Sequence, residues 1–407
     1  MDLITFRGSA RPSLGVELEF QLLDARTLAL TGAGDAVLAS VPPEFRGSIK
    51  PEFYASCVEV NTGVCRDAAE VAADLGPKLA AAARAAARYG TLLGWGGSHP
   101  FSHWRDQAVV PSPRYRELAT LYRETLHRQV TFGLHVHVGV PDGDAAVRVC
   151  DRIVAHLPAL LALSVNSPFW CGRATGLLSH RMEVMGASPT GGLPPWLSGW
   201  GDYAGLIDRL TSADLIGTSK DLWWDVRPSP EHGTVEVRIC DMPSDLPSVL
   251  GLAALTQCLV VALSRENCGA ALDEGGLMIV RQNRWRAARF GLGAELVDPY
   301  TGDAAPARRV CKDLVERLRG VAEELECASE LGLVRSMADG PTGAERQLAV
   351  FERTGDLVEV VRQRMVQPAA AEADRGVPWR AGPGDIANAP APWPGAADPR
   401  HVHAGRS

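Results

Sequence analysis

Between Gly15 and Phe20 the chain reads Gly-Val-Glu-Leu-Glu-Phe, with charge and hydrocarbon alternating residue by residue. A period of two belongs to an extended strand, and it aims Glu17 and Glu19 one way while Val16, Leu18 and Phe20 point the other. The device recurs in Val58-Glu59-Val60, Leu134-His135-Val136-His137-Val138 and Val235-Glu236-Val237-Arg238-Ile239. The four segments, 14–23, 57–61, 132–140 and 234–240, are rich in Val and bounded by Gly, Pro or Asp, as strands are. A half-exposed sheet with a polar solvent face would explain any one of them. It does not explain all four, because solvent faces mix Thr, Ser, Lys and Gln, whereas these carry acids with His and Arg and no lysine. Carboxylates gathered on one sheet repel unless cations sit among them. Oxygen donors with an imidazole suit Mg²⁺ or Mn²⁺, hard ions that serve nucleotide phosphates, better than Zn²⁺, which prefers thiolate and imidazole. The pattern predicts a sheet whose concave face holds divalent ions.

Helical periodicity covers 66–89, with a break expected at Gly76-Pro77, and also 144–163, 246–264, 309–330 and 342–366. Helices and strands do not follow the rhythm of a doubly wound sheet, so the expected fold is α+β, a largely antiparallel or mixed sheet covered by helices. The apolar runs 157–165 and 250–263 fall short of the roughly 20 residues that cross a bilayer and read as buried helices. Lys+Arg of 41 against Asp+Glu of 48 gives a net charge of −7, which offers no attraction to phosphate backbones or anionic lipid. Nucleic acid and membrane are therefore excluded as expected partners. Residues 1–11 lack a secretory pattern, so a cytoplasmic chain is expected. The nine cysteines form no C-x-x-C pair and read as reduced thiols filling the core. No linker interrupts 12–366, which makes 1–367 one expected catalytic domain, leaving a homo-oligomer open. From 368 to 407 the chain is Pro/Ala-rich without apolar periodicity, an expected disordered tail in which His401 and His403 are solvated.

No glycine-rich phosphate loop is present: Gly94-Trp95-Gly96-Gly97 lacks the lysine of a P-loop, and Gly32-Ala33-Gly34 reads as a turn. Phosphates would have to be held by metals and by arginines, for which Arg227, Arg238, Arg284 and Arg289 are the candidates. There is no G-x-S-x-G elbow to support covalent hydrolysis. His135-Val136-His137 also matches the first metal motif of an amidohydrolase, but that fold wants the pair near the N-terminus with further ligands downstream. Instead His156 falls in a predicted helix and His180 and His232 in loops. A binding protein without turnover is the non-enzymatic alternative, against which the intact acidic set argues.

Taken in order, Gly15 to Phe20, Val58 to Thr62 with Val64 to Asp67, Gly97 to Phe101, Phe132 to Gly139, Leu163 to Pro168, Trp223 to Pro230, Thr234 to Asp241 and Asn283 to Gly291 resemble the signature stretches of one family. It is the glutamate–cysteine ligase type 2 family of bacterial carboxylate-amine ligases, and the resemblance spans roughly residues 12–366. It implies the curved, largely antiparallel sheet of glutamine synthetase and guanidino kinases. It also implies ATP and Mg²⁺ (or Mn²⁺) as cofactors, small-molecule acid and amine substrates, and amide formation through an acyl phosphate with release of ADP and phosphate. The ligands it implies are Glu17, Glu19, Glu52, Glu59, His135 and Glu236, with His135 preferred over His137. Arg238 would stabilise the transferring phosphoryl group, and Glu59 would share in catalysis. Arg181 resembles the arginine that pairs with the acid substrate's α-carboxylate. Ser98 stands where relatives usually carry Thr, and Glu183 with Val184 to Ala187 replaces a stretch that is basic or aromatic in many members. This loop is expected to line the substrate pocket, with Glu183 favouring a cationic amine, so an acid other than glutamate or an amine other than cysteine stays open.

Overall fold

The computed structural model describes residues 4–266 and 271–366; the tail expected over 368–407 lies outside them. In chain order the strands are β1 (Leu14–Asp24), β2 (Ile49–Pro51), β3 (Cys57–Asn61), β4 (Thr91–Gly94), β5 (Gly133–Gly139), a ribbon of β6 (Phe169–Trp170) and β7 (Arg173–Ala174), β8 (Val226–Ser229), β9 (Thr234–Asp241) and a second ribbon of β10 (Glu295–Val297) and β11 (Ala304–Pro306). Seven of them make one sheet ordered β2-β3-β1-β5-β9-β8, with β4 also on β1, and every pair is antiparallel. The fold is thus α+β with an antiparallel sheet. That arrangement removes the amidohydrolase alternative, whose barrel needs parallel strands.

The apolar side of each alternating strand is sealed: Leu18, Phe20, Val58, Val60, Leu134, Val136, Val235 and Val237 are fully buried. Helices Ala68–Ala87 and Leu246–Arg265 pack on this face. The second is long and apolar enough to cross a membrane by length and composition, but most of it is buried inside the protein. It starts at Asp245, whose side chain accepts from the Ser248 amide, and its buried Gln257 donates to the carbonyls of Pro12 and Arg66, both at 2.7 Å. The opposite face carries the acids.

Helix boundaries depart from expectation where tertiary packing or a single residue decides. Ala68–Ala87 runs through Gly76-Pro77 unbroken. Pro77 forfeits one main-chain bond, about 3 kcal/mol in an exposed helix, but Val71, Leu75, Leu79 and Ala82 are buried along one face on both sides of it, and their burial holds the helix together. The expected 144–163 helix divides into Gly143–Ile153 and Leu157–Ser164 around a tight turn that ends just before Pro158. The 309–330 stretch becomes Ala307–Glu324 followed by Ala328–Asp339, and Gly355, in the left-handed conformation at φ 63°, splits 342–366 into Gly343–Thr354 and Leu357–Arg362. Gly34 opens the helix Gly34–Ala39, so only the first part of the expected turn is irregular. All eight described cysteines are free and seven are buried.

Candidate active site

Strand register assembles the acid face. On β1, Glu17 lies opposite His135 of β5 on one side and Asn61 of β3 on the other, and Glu19 lies opposite Glu59. On the far strands His137 faces Glu236, which faces Arg227. Glu52 arrives from the turn after β2 rather than from a strand. Six expected residues therefore converge as two groups whose ligand atoms lie within 4.8 Å of one another: Glu17, His135 and Glu236, and Glu19, Glu52 and Glu59.

The first group is compensated by the protein's own cations. Glu236, 2% exposed, is gripped by Arg227 through Nε at 2.7 Å and Nη2 at 3.1 Å and is also paired with Arg238. Burial alone would raise its pKa, yet Arg227, Arg238 and His137 hold it well below the usual range. Burial opposes ionisation of Glu17 as well, but His135 Nδ1 at 3.2 Å and His137 Nε2 at 3.5 Å hold its carboxyl low. His135 is kept neutral, its pKa pulled down to about 4 by burial and by Arg238. With Nδ1 facing Glu17, the buried Nε2 has no hydrogen-bond partner among the described residues and lies 3.7 Å from a Glu19 oxygen. His137 instead donates or accepts at Thr234 Oγ1, 2.9 Å away, and keeps a raised pKa despite burial, through Glu236 and Glu17.

Among the described residues no lysine or arginine makes a salt bridge with the second group. Glu52 is pushed up to about 7 by burial and by Glu19. Glu59 rises well above its ordinary range through burial and through Glu52, Glu17 and Glu19, against the hydrogen bond from Asn61 Nδ2 at 2.7 Å. Glu19 is raised by burial even though Arg181 and Arg238 oppose the shift and the Gly133 amide donates to it. Clustered oxygen donors that cannot ionise together, beside an imidazole nitrogen without a hydrogen-bond partner among the described residues, are the donor set a hard divalent cation requires. The residues present fit Mg²⁺ or Mn²⁺.

The arginines divide. Arg238 sits between the groups, paired with Glu236 and 3.4 Å from His135 Nδ1. Arg227 spends its donors inside the protein, on Glu236 and on the carbonyls of Lys220 and Leu222 at 2.8 Å. Arg284 forks onto Asp225, with Nε to Oδ2 at 2.6 Å, and Asp225 O accepts from the Arg238 amide. Arg289 is set apart, its guanidinium 4.8 Å over the ring of Phe290. Arg181, buried, donates to the carbonyls of Arg238 and Ile239. Its surroundings correct the sequence reading: Arg181–Gly186 is a short helix rather than a loop, and Glu183 on it is exposed.

Sequence reasoning missed Asn61, Thr234, Asp225 and the Gly133 amide. Asn61 was findable, since it lies two residues beyond Glu59 and so on the same strand face. A main-chain amide leaves no mark in composition.

The fold has a solved counterpart. The crystal structure of glutamate–cysteine ligase from Francisella tularensis in complex with AMP superposes with a TM-score of 0.65 at 13% identity, covering 88% of this chain and 89% of that one. The family and relatives of the chain make it an ATP-dependent ligase that forms carbon–nitrogen bonds. More particularly, the model of glutamate-cysteine ligase family 2 matches residues 13–363, and the chain belongs to that family. A protein of Gloeobacter violaceus provisionally named glutamate–cysteine ligase 2 is 40% identical over 362 residues, 88% of this chain and 97% of its own length. One of Rubrobacter xylanophilus, provisionally glutamate–cysteine ligase 2-3, is 42% identical over 357 residues with the same coverage.

Proposed function

We propose that the protein joins the side-chain carboxylate of glutamate to the amine of cysteine, or of a related amine, at the expense of ATP. The carboxylate takes the γ-phosphoryl group to give an acyl phosphate and ADP, and the amine then displaces phosphate. The observation that carries this reading is the Glu19–Glu52–Glu59 group, three half-buried carboxylates with no lysine or arginine in salt-bridge contact among the described residues, set beside a group whose Glu236 has two. Glu17, His135 and Glu236 on one side and Glu19, Glu52 and Glu59 on the other would hold the divalent ions, which neutralise charge on the β- and γ-phosphates when bound.

The chain's own part is positioning and charge. Arg238, between the two groups, offers its guanidinium to the transferring phosphoryl group. Arg227 and Arg284 hold Glu236 and Asp225, and so the strands under Arg238, rather than reaching phosphate themselves. Arg181 binds the acid's α-carboxylate only with the donors that Arg238 O and Ile239 O leave over. Residues 1–367 act as one catalytic domain, and unpaired thiols suit a cytoplasmic setting.

A phosphate-release screen with ATP, Mg²⁺ and pairs of amino acids or amines tests the reading. Release should need both an acid and an amine, should be highest with glutamate and cysteine, and should vanish in excess EDTA. Full turnover in EDTA, or release that ignores the amine, overturns it.

A further inference from the structure

Arg364 lies outside the acid groups and is 5% exposed. Its guanidinium meets no carboxylate among the described residues: Nη1 donates to the carbonyls of Trp95 at 2.9 Å and Ser98 at 3.5 Å, while Nε and Nη2 reach no acceptor. Burial pulls its pKa down to about 9. An unpaired buried charge is expensive, and an apolar side chain of similar length would avoid the cost. The room is nonetheless built for it. A Cβ on Gly96 would come within 1.9 Å of Nη1, and Gly96 holds φ +117°, a conformation for glycine. Residues 364–366 also run beside β4, with Trp95 N donating to Arg364 O and Val366 N to Leu93 O, both at 2.8 Å.

The loop so gripped, 95–98, closes the end of the acid face. Gln21 is two residues beyond Glu19 on β1 and shares its face; its Nε2 donates to Gly96 O at 2.9 Å and Ser98 O at 3.2 Å. Gly97 O accepts from Phe132 N at 2.9 Å, and the next residue, Gly133, gives its amide to Glu19.

We propose that Arg364 is a positioning residue of the ligase: seated under the 95–98 loop in the space Gly96 leaves, it fixes the loop that anchors Gln21 and the Phe132–Gly133 step, and through them the Glu19 carboxylate. This rests on the reading of Glu19 as a ligand to a divalent ion. Charge-assisted donation to main-chain carbonyls is what a methionine in the same space could not supply.

The test uses the full chain. Arg364→Met and, independently, Gly96→Ala, which evicts the guanidinium, are compared with Arg364→Lys and Glu19→Gln. Turnover is measured per folded molecule well below the melting temperature, and Mn²⁺ affinity is measured by titration without substrates. Residues that orient metal ligands change affinity or activity by about 10–100-fold on removal. A loss of about tenfold in turnover and a weakening of Mn²⁺ binding are therefore expected in both Arg364→Met and Gly96→Ala, with partial rescue in Arg364→Lys. Their combination should lose less than the product of the two. If Arg364→Met lowers the melting temperature while turnover and Mn²⁺ affinity stay at wild type and Glu19→Gln is inactive, the guanidinium is structural and the proposal alone fails. Should Arg364→Met not fold, Arg364→Lys separates the same two outcomes by the same measurements, because Gly96→Ala also strains a backbone at φ +117°. Wild-type Mn²⁺ affinity in Glu19→Gln overturns both the proposal and the metal-site reading beneath it.

Discussion

The two ends of the acid face solve the same electrostatic problem differently. At the Glu17–Glu236 end, His137, Arg227 and Arg238 keep the carboxylates ionised in the protein alone. At the Glu19–Glu52–Glu59 end the same residue type, on and beside strands of the same sheet, is pushed toward the neutral form by burial and then by the neighbouring carboxylates. One end is finished by folding, and the other is left for a ligand to finish. The difference locates where a cation adds most.

Removing a carboxylate should therefore have opposite effects at the two ends. Glu236→Gln strands Arg227 and Arg238 in the interior and should cost about 3 kcal/mol or more, read as a melting temperature lower by several degrees; an unchanged value would erase the distinction. Glu52→Gln should stabilise the metal-free protein, and more so as pH rises. A carboxyl whose folded pKa of about 7 exceeds the ordinary 4.5 costs nothing below the lower value, where folded and unfolded states both hold the proton. Its penalty is complete above the higher one. The gap in stability between Glu52→Gln and wild type should then widen in favour of the variant between about pH 4.5 and 7, reaching up to about 3 kcal/mol. Chemical melts in EDTA measure it, and added Mg²⁺ should shrink it. A pH-independent gap would show that Glu52 is not held above its ordinary pKa.

Glu59→Gln should lower turnover by about a hundredfold, at the upper end for a group that orients a metal site, while circular dichroism stays unchanged; wild-type phosphate release would sever the second group from the chemistry. A smaller effect is expected of Arg181→Ala. It loses contact with a substrate carboxylate worth about 2 kcal/mol, so KM for the acid should rise more than tenfold while KM for ATP moves little, and equal rises in both would make Arg181 a prop for β9. The smallest belongs to Glu183→Ala: an exposed side chain should shift stability by less than about 0.5 kcal/mol and leave the choice between cysteine and diamines as it was. A preference for the basic amine that disappears in this variant would move Glu183 into the pocket.

The acid face was legible because alternation constrains geometry as strongly as sequence can. Once Glu17 and Glu19 share a strand with buried Val16, Leu18 and Phe20, their common face follows. The cross-strand register was not legible, since nothing local says that Glu19 meets Glu59 rather than Glu52. Short strands such as β2, β4 and β8 were missed because three or four residues carry no measurable period. Helix ends failed where one residue outvotes a pattern, as Gly355 does, or where a pattern outvotes one residue, as around Pro77. Guanidinium roles were least legible, because Arg227, Arg284 and Arg289 look alike in sequence and differ only in what lies opposite.

The pairing of β1 with β5 also sets a timetable. Glu17 and His135 are 118 residues apart in sequence, so a ribosome adding about 5–20 residues per second exposes the first strand for roughly ten seconds before its partner emerges. During that interval the Leu14–Leu18 edge of β1 that β5 will take stays open even after β3 and β4 have emerged, and β9, which pairs the other side of β5, is made later still. Yield in a cell should therefore depend on how fast residues 24–133 are translated, and synonymous codons in that stretch become a lever on soluble enzyme that leaves every side chain in place.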